Sequence, residues 1–222
     1  MLDKLLYRLS RPLVGMYARL MLRMDILRQR PLPKEPVILA ANHPSTTDPL
    51  LIPLLTSRQA SILIAEKIFT IPVLGSYLRR SGHIAVVPGK GETILAQARR
   101  MLEQGRDVII FPEGAVSPHE GAFHRGRTGV ARLALQTGAP VIPIGIHLDY
   151  RWLKAMASRI NGRAETVSWY WRGPYYITVG ETLYLDGDVD DRTRVLSIAK
   201  TIMDAITRLS QQSAQRMQAT VA

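Results

Sequence analysis

In the first thirty positions apolar residues recur at Leu2, Leu5, Leu6, Leu9, Leu13, Met16, Tyr17, Leu20, Met24 and Leu27. That spacing gathers them on one face of a helix. Pro12 lacks the N–H that an interior helix position donates, so the pattern predicts two amphipathic helices meeting there. Pro31, Pro33 and Pro36 mark a linker. From residue 37 the pattern changes. Short, solid apolar runs at 37–41, 61–65, 83–87, 108–111 and 141–146 alternate with helical stretches at 48–56, 73–80, 93–103 and 128–136. Solid runs of this length read as strands buried on both faces. Their alternation with helices predicts an α/β fold, a mainly parallel central sheet flanked by helices. Residues 150–173 break the rhythm and are basic. Strands resume at 175–179 and 182–185. A closing amphipathic helix is predicted at 190–210, with Val195, Ile198, Ile202, Ile206 and Leu209 on one face. The aromatic cluster Trp169, Tyr170, Trp171, Tyr175 and Tyr176 reads as a strand face, with an interfacial belt that includes Trp152 as the alternative.

Of the 222 residues 46% are hydrophobic and 21% charged, which suits a globular chain of one large domain, or one domain and a small appendage. A formal charge of +11 implies an anionic partner: nucleic acid, a phosphorylated small molecule or a membrane surface. The basic residues do not interleave with aromatics along one recognition element, so nucleic acid is set aside. In residues 1–30 seven cations stand against two acids. This segment is read as amphipathic membrane-associating helices lying among anionic headgroups, with Arg8, Arg11, Arg19 and Arg23 as membrane-binding residues. The longest run free of charge, residues 133–148, is broken by Gly138, Pro140, Pro143 and Gly145, so no transmembrane helix is predicted. Arg8 and Arg11 interrupt any signal-peptide core. The expectation is a cytoplasmic protein, peripheral on the inner face of the cell membrane, with its main domain in residues 31–222.

The absence of Cys excludes a disulfide scaffold, a Cys-ligated metal and thiol catalysis. His83, His119, His124 and His147 lack metal-ligand spacing, so no metal is expected. The Pro88-Gly89-Lys90-Gly91 stretch lacks the first Gly and the Ser or Thr of a nucleotide phosphate loop. In parallel sheets ligands sit beyond the carboxyl ends of the strands. Beyond the first predicted strand stands Asn42-His43-Pro44-Ser45-Thr46-Thr47-Asp48, and beyond the fourth Phe111-Pro112-Glu113-Gly114. A His can take a proton from an attacking hydroxyl, and a carboxylate on its other ring nitrogen fixes the tautomer and stabilises the imidazolium. Asp48-Pro49 also reads as a helix start with Asp48 as the cap. Ser45 stands open as a nucleophile.

Four blocks in order resemble the glycerolipid acyltransferase family, of the lysophosphatidic acid acyltransferase (1-acylglycerol-3-phosphate O-acyltransferase) type. They are Asn42-His43-x4-Asp48-Pro49, the HxxxxD motif; Glu66-Lys67 through Pro72, Gly75 and Gly82 to Ile84; Phe111-Pro112-Glu113-Gly114; and Val141-Ile142-Pro143-Ile144. The resemblance implies a glycerol-3-phosphate-acyltransferase-like fold with His43 as general base and Asp48 orienting it. It implies direct attack of a lysolipid hydroxyl on an acyl thioester, supplied by acyl-CoA or acyl-carrier protein as co-substrate, with no cofactor. Glu113 and Gly114 are then expected to shape the acceptor site, and Pro143 to line the acyl-donor side. The first acceptor implied is lysophosphatidic acid, converted to phosphatidic acid in phospholipid biosynthesis. Two departures bear on that. Ala115 and Val116 stand where the family has Thr-Arg, and Ala85-Val86-Val87-Pro88 lacks the Arg that usually closes the second block. An apolar side chain does not replace a guanidinium on a phosphate. Lys67, Lys90, Arg125 and Arg127 are the substitute phosphate ligands. The alternatives are a lipid acceptor without phosphate and a non-catalytic peripheral lipid-binding protein.

Overall fold

The computed structural model describes residues 2–118, 121–160 and 163–221. The N-terminal pattern forms a single helix, α1 (Leu2–Leu20), which runs through Pro12 instead of dividing there. Pro12 is exposed, while Val14, Tyr17 and Ala18 on the opposite side hold the helix against the core. That packing offsets the roughly 3 kcal/mol that an interior proline costs. The apolar positions after the helix do not continue it. Residues 25–28 form strand β1 (Asp25–Arg28), exposed at all four positions.

The solid apolar runs become β2 (Ile38–Ala41), β3 (Ala60–Ala65), β4 (Ile84–Val86), β5 (Asp107–Ile110) and β6 (Val141–Leu148). Between them lie α2 (Asp48–Leu51), continued by a 3-10 turn, α3 (Leu74–Arg80), α4 (Gly91–Glu103) and α5 (Gly129–Thr137). Residues 150–173 are more regular than their sequence rhythm suggests. They carry an antiparallel hairpin of β7 (Leu153–Ile160) and β8 (Arg163–Tyr170). Strand β9 (Tyr175–Val179) and the long helix α6 (Arg192–Val221) close the chain. The expected strand at 182–185 is reduced to one bridge between Leu183 and Val141, because β9 occupies that edge of β6 from Ile144 onward.

The seven-stranded sheet has the order β1-β9-β6-β2-β5-β3-β4. Its five apolar strands are mutually parallel, and β9 with β1 runs antiparallel to them. Neighbouring residues of β2 point to opposite faces, as the pleat requires. Leu39 and Ala41 join α1, α2 and Tyr175 in one core cluster, whereas Ile38 and Ala40 join α4, α5 and α6 in the other. The sheet is therefore covered on both sides. Helix α6 lies so close to β6 that a Cβ on Gly145 would stand 2.0 Å from the Ser210 nitrogen, so only glycine fits there. Among the described residues no helix is long and apolar enough to cross a membrane.

Candidate active site

Strands β2 and β5 are neighbours, with Ala40 in register with Ile110. Three residues further on, both chains have left the sheet at its carboxyl edge, and His43 meets Glu113. The His43 N–H donates to Glu113 Oε1 at 3.0 Å. Ser117 donates its hydroxyl to the same oxygen at 2.6 Å, and the His124 N–H reaches Oε2 at 2.8 Å. Glu113 is 3% exposed, with both oxygens committed to these bonds. It shapes the site by fixing the backbone of the His43 loop and of the 124 segment. Gly114 turns the chain at φ +70°, a left-handed value that glycine adopts without strain. Asn42 completes the edge by exchanging bonds with Ile146 in both directions, at 2.9 and 2.7 Å.

The His43 ring stacks on Phe111 at 4.3 Å between centroids. Its Nδ1 lies 2.9 Å from Asp48 Oδ2. An ionised carboxylate only accepts, so Nδ1 carries the proton and Nε2 is left as the basic nitrogen. Asp48 has no solvent exposure. An unpaired buried carboxylate would be costly, but this one accepts further bonds from the Ser45 N–H at 2.8 Å, the Ser45 hydroxyl at 2.6 Å and the Tyr175 hydroxyl at 2.7 Å. Asp48 therefore does not cap its helix. Thr47 holds the cap position without a side-chain bond, and the Asp48 carboxylate turns back to its own loop. Ser45 is likewise spoken for. It is fully buried and its hydroxyl points at Asp48, which removes it as a nucleophile.

The hairpin clamps this loop from outside. Thr46 N–H donates to the Ser168 carbonyl at 2.7 Å, and the Thr47 hydroxyl bonds both the carbonyl and the N–H of Tyr170. Tyr170 and Tyr175 are wholly buried, while Trp169 and Trp171 stack on each other and Arg172 lies over Trp152. Burial pushes the Tyr175 hydroxyl well above its ordinary pKa, and the neighbouring Asp48 charge adds to this. Burial also moves Tyr150, which feels Asp48 and Glu113, up to about 12. Both phenols stay neutral, and Tyr175 donates to Asp48.

Comparison with models of protein families matches residues 23–147 to the one described as Acyltransferase. The chain belongs to this acyltransferase family. It is 27% identical over 152 residues to a 1-acyl-sn-glycerol-3-phosphate acyltransferase of Pseudomonas aeruginosa, covering 66% of this chain and 58% of that one. It is 33% identical over 119 residues to a lyso-ornithine lipid O-acyltransferase of the same organism, covering 51% and 44%. The matches thus span about half the length of these relatives. The crystal structure of the 1-acyl-sn-glycerophosphate acyltransferase PlsC from Thermotoga maritima shares the fold. Its TM-score is 0.64 at 19% identity, covering 95% of this chain and 78% of that one.

The remaining predicted residues fall in different places. Lys67 pairs with Glu165 of β8, so its charge is partly met. Arg127 lies against Gly114, where a Cβ would stand 2.6 Å from its Nε, and its N–H donates to the Pro112 carbonyl at 2.8 Å. Its guanidinium meets no carboxylate among the described residues. Arg125, two positions away, is exposed. His119 lies outside the described residues, as does the side chain of Arg8. Pro143 is buried in β6 opposite Ala40, with its carbonyl accepting from Gly180. Arg19 and Arg23 are exposed, and Arg11 is half-buried. The sequence reading did not connect Tyr175 to the site. The signal available for the hairpin was Asn161-Gly162, a pair favoured in two-residue turns.

Proposed function

We propose that this protein transfers a fatty acyl group from acyl-CoA or acyl-carrier protein to the hydroxyl of a lysolipid. Lysophosphatidic acid, giving phosphatidic acid in phospholipid biosynthesis, is the first acceptor. The observation that carries the reading is the His43–Asp48 pair at the carboxyl edge of the sheet, with Nε2 as the free base. The acceptor oxygen attacks the thioester carbonyl while Nε2 takes its proton. Collapse of the tetrahedral intermediate forms the ester, breaks the carbon–sulfur bond and expels the thiolate. The imidazolium returns the proton to give the thiol. Asp48 stabilises the imidazolium between these transfers. No covalent acyl-enzyme is required.

The exposed side of α1 supports a place on the membrane. Leu9, Leu13, Met16 and Leu20 share one stripe and are more than half exposed. The acyltransferase would sit there as a peripheral protein on the cytoplasmic face, where its lipid acceptor lies. Ala115 and Val116 favour a second reading, an acceptor without phosphate; the lyso-ornithine lipid acyltransferase among its relatives is consistent with that. The intact dyad argues against a non-catalytic lipid binder. The test is acyl transfer and thiol release by the parent and by His43→Ala over a panel of lysolipids. His43→Ala should lose about 100-fold or more of the turnover, the typical worth of a general base. Equal turnover in the two proteins refutes the mechanism.

A further inference from the structure

Away from the dyad, α1, β1 and Leu54 border an open groove of about 460 Å3. Arg11, Pro12, Gly15 and Arg19 form one wall and Met24, Ile26 and Leu54 line the rest. Residues four apart share a helix face, so α1 presents three distinct faces. Val14, Tyr17 and Ala18 pack on the core. Leu9, Leu13, Met16 and Leu20 form the exposed apolar stripe. The groove face lies between them. Gly15 keeps the groove open, since a Cβ there would meet only Leu54, at 3.9 Å.

The two arginines are not neutralised. Arg11 makes a long 3.5 Å bond to the Leu54 carbonyl. Arg19 has no hydrogen-bond or ionic partner among the described residues. Asp25, the acid between the lining residues Met24 and Ile26, is held by Arg216. Arg11 and Arg19 stand about 12 Å apart along the helix axis, with an apolar floor between them. That is the complement of an anionic head joined to an apolar chain. If the neighbouring stripe enters a bilayer, these guanidinium groups lie at headgroup depth.

We propose that this groove holds the headgroup and upper chain of one anionic phospholipid of the membrane. The proposal rests on the peripheral placement above and gives it a specific ligand. The test is binding of the full chain to phosphatidylcholine vesicles with and without phosphatidylglycerol. The parent should prefer the anionic vesicles. The double variant R11Q/R19Q should lose about thirtyfold in affinity for them. A control of equal charge, R30Q/R192Q, removes two exposed arginines outside the groove and should lose less than about threefold, as expected of a screened general field. Gly15→Leu fills the groove without changing charge and should abolish the anionic preference, while binding to neutral vesicles persists through the stripe. Equal losses in the two double variants, or an unaltered Gly15→Leu that folds, overturn the groove. Should Gly15→Leu melt early, the two double variants decide alone. Competition by inorganic phosphate as effective as by anionic vesicles assigns a free-anion site and overturns the lipid ligand. Binding by the parent that ignores phosphatidylglycerol overturns the groove but leaves the peripheral placement standing. No binding to any vesicle overturns both.

Discussion

The Tyr175 hydroxyl donates a 2.7 Å hydrogen bond to Oδ1 of Asp48, the oxygen not used by His43. Strand β9 thereby holds the carboxylate that is paired with His43. Tyr175→Phe keeps the ring and removes one bond to a buried charge. Such bonds contribute about 1.5–3 kcal/mol, so kcat should fall roughly tenfold or more. KM should stay near that of the parent, since the hydroxyl is buried away from substrate. Because burial and the Asp48 charge raise its pKa, Tyr175 stays protonated across neutral and mildly alkaline pH. The ratio of variant to parent kcat should then be flat with pH over that range. A ratio that rises or falls steeply there contradicts this role.

Ser45 gives the direct test of a one-step transfer. Its hydroxyl is buried and bound to Asp48 at 2.6 Å. Ser45→Ala should slow turnover about tenfold through the looser carboxylate and leave a measurable rate. Complete loss in a folded variant, or an acylated Ser45 in quenched parent enzyme, would reinstate a covalent intermediate.

The parts of the fold readable in sequence are those decided by burial. The strands β2, β5 and β6 are buried on both faces, and their solid apolar runs left little choice of structure. The loops after β2 and β5 meet because these adjacent parallel strands end side by side. What could not be read depends on distant partners. Strand β1 is Asp-Ile-Leu-Arg and wholly exposed, so nothing in its pattern separates it from the preceding helix. It is a strand because β9 offers it an edge. The second role of Asp48, bound from 127 residues away by Tyr175, is likewise invisible locally. A Pro inside α1 misleads for the opposite reason, since packing overrode a correct local rule.

Acid sensitivity should centre on His83. Its Nδ1 accepts the Ile62 N–H at 3.2 Å, which requires the neutral ring. Burial, with Arg106 adding to it, pushes its pKa down to about 4. The unfolded chain takes up the proton near pH 6.5. Between about pH 6.5 and 4 the unfolded state therefore binds a proton that the folded state refuses. Stability is held above that window and lost as pH falls through it, by up to about 3 kcal/mol. Urea unfolding at several pH values should show this slope in the parent and a shallower one in His83→Gln. Identical slopes exclude His83 as the source.

Arg127 bears on which acceptor is used. It leans on Gly114 of the Phe111-Pro112-Glu113-Gly114 turn, and its backbone is tied to Pro112, so it stands beside the turn that carries Glu113. Lys67 is engaged by Glu165, and Ala115 and Val116 offer no charge. Among these positions Arg127 is the cation that contacts this turn and meets no carboxylate among the described residues. Arg127→Gln should raise KM about tenfold for lysophosphatidic acid, the loss of one charge-assisted contact to a phosphate. The kcat should change little, because the contact is made equally in the ground and transition states. Arg125→Gln, exposed as Arg127 is but outside the contact with Gly114, should change KM less than about twofold. A lysolipid without a phosphate monoester should respond equally little to either change. Should the parent prefer that lipid, and Arg127→Gln leave every KM unaltered, the acceptor without phosphate becomes the substrate and Arg127 a solvated surface charge.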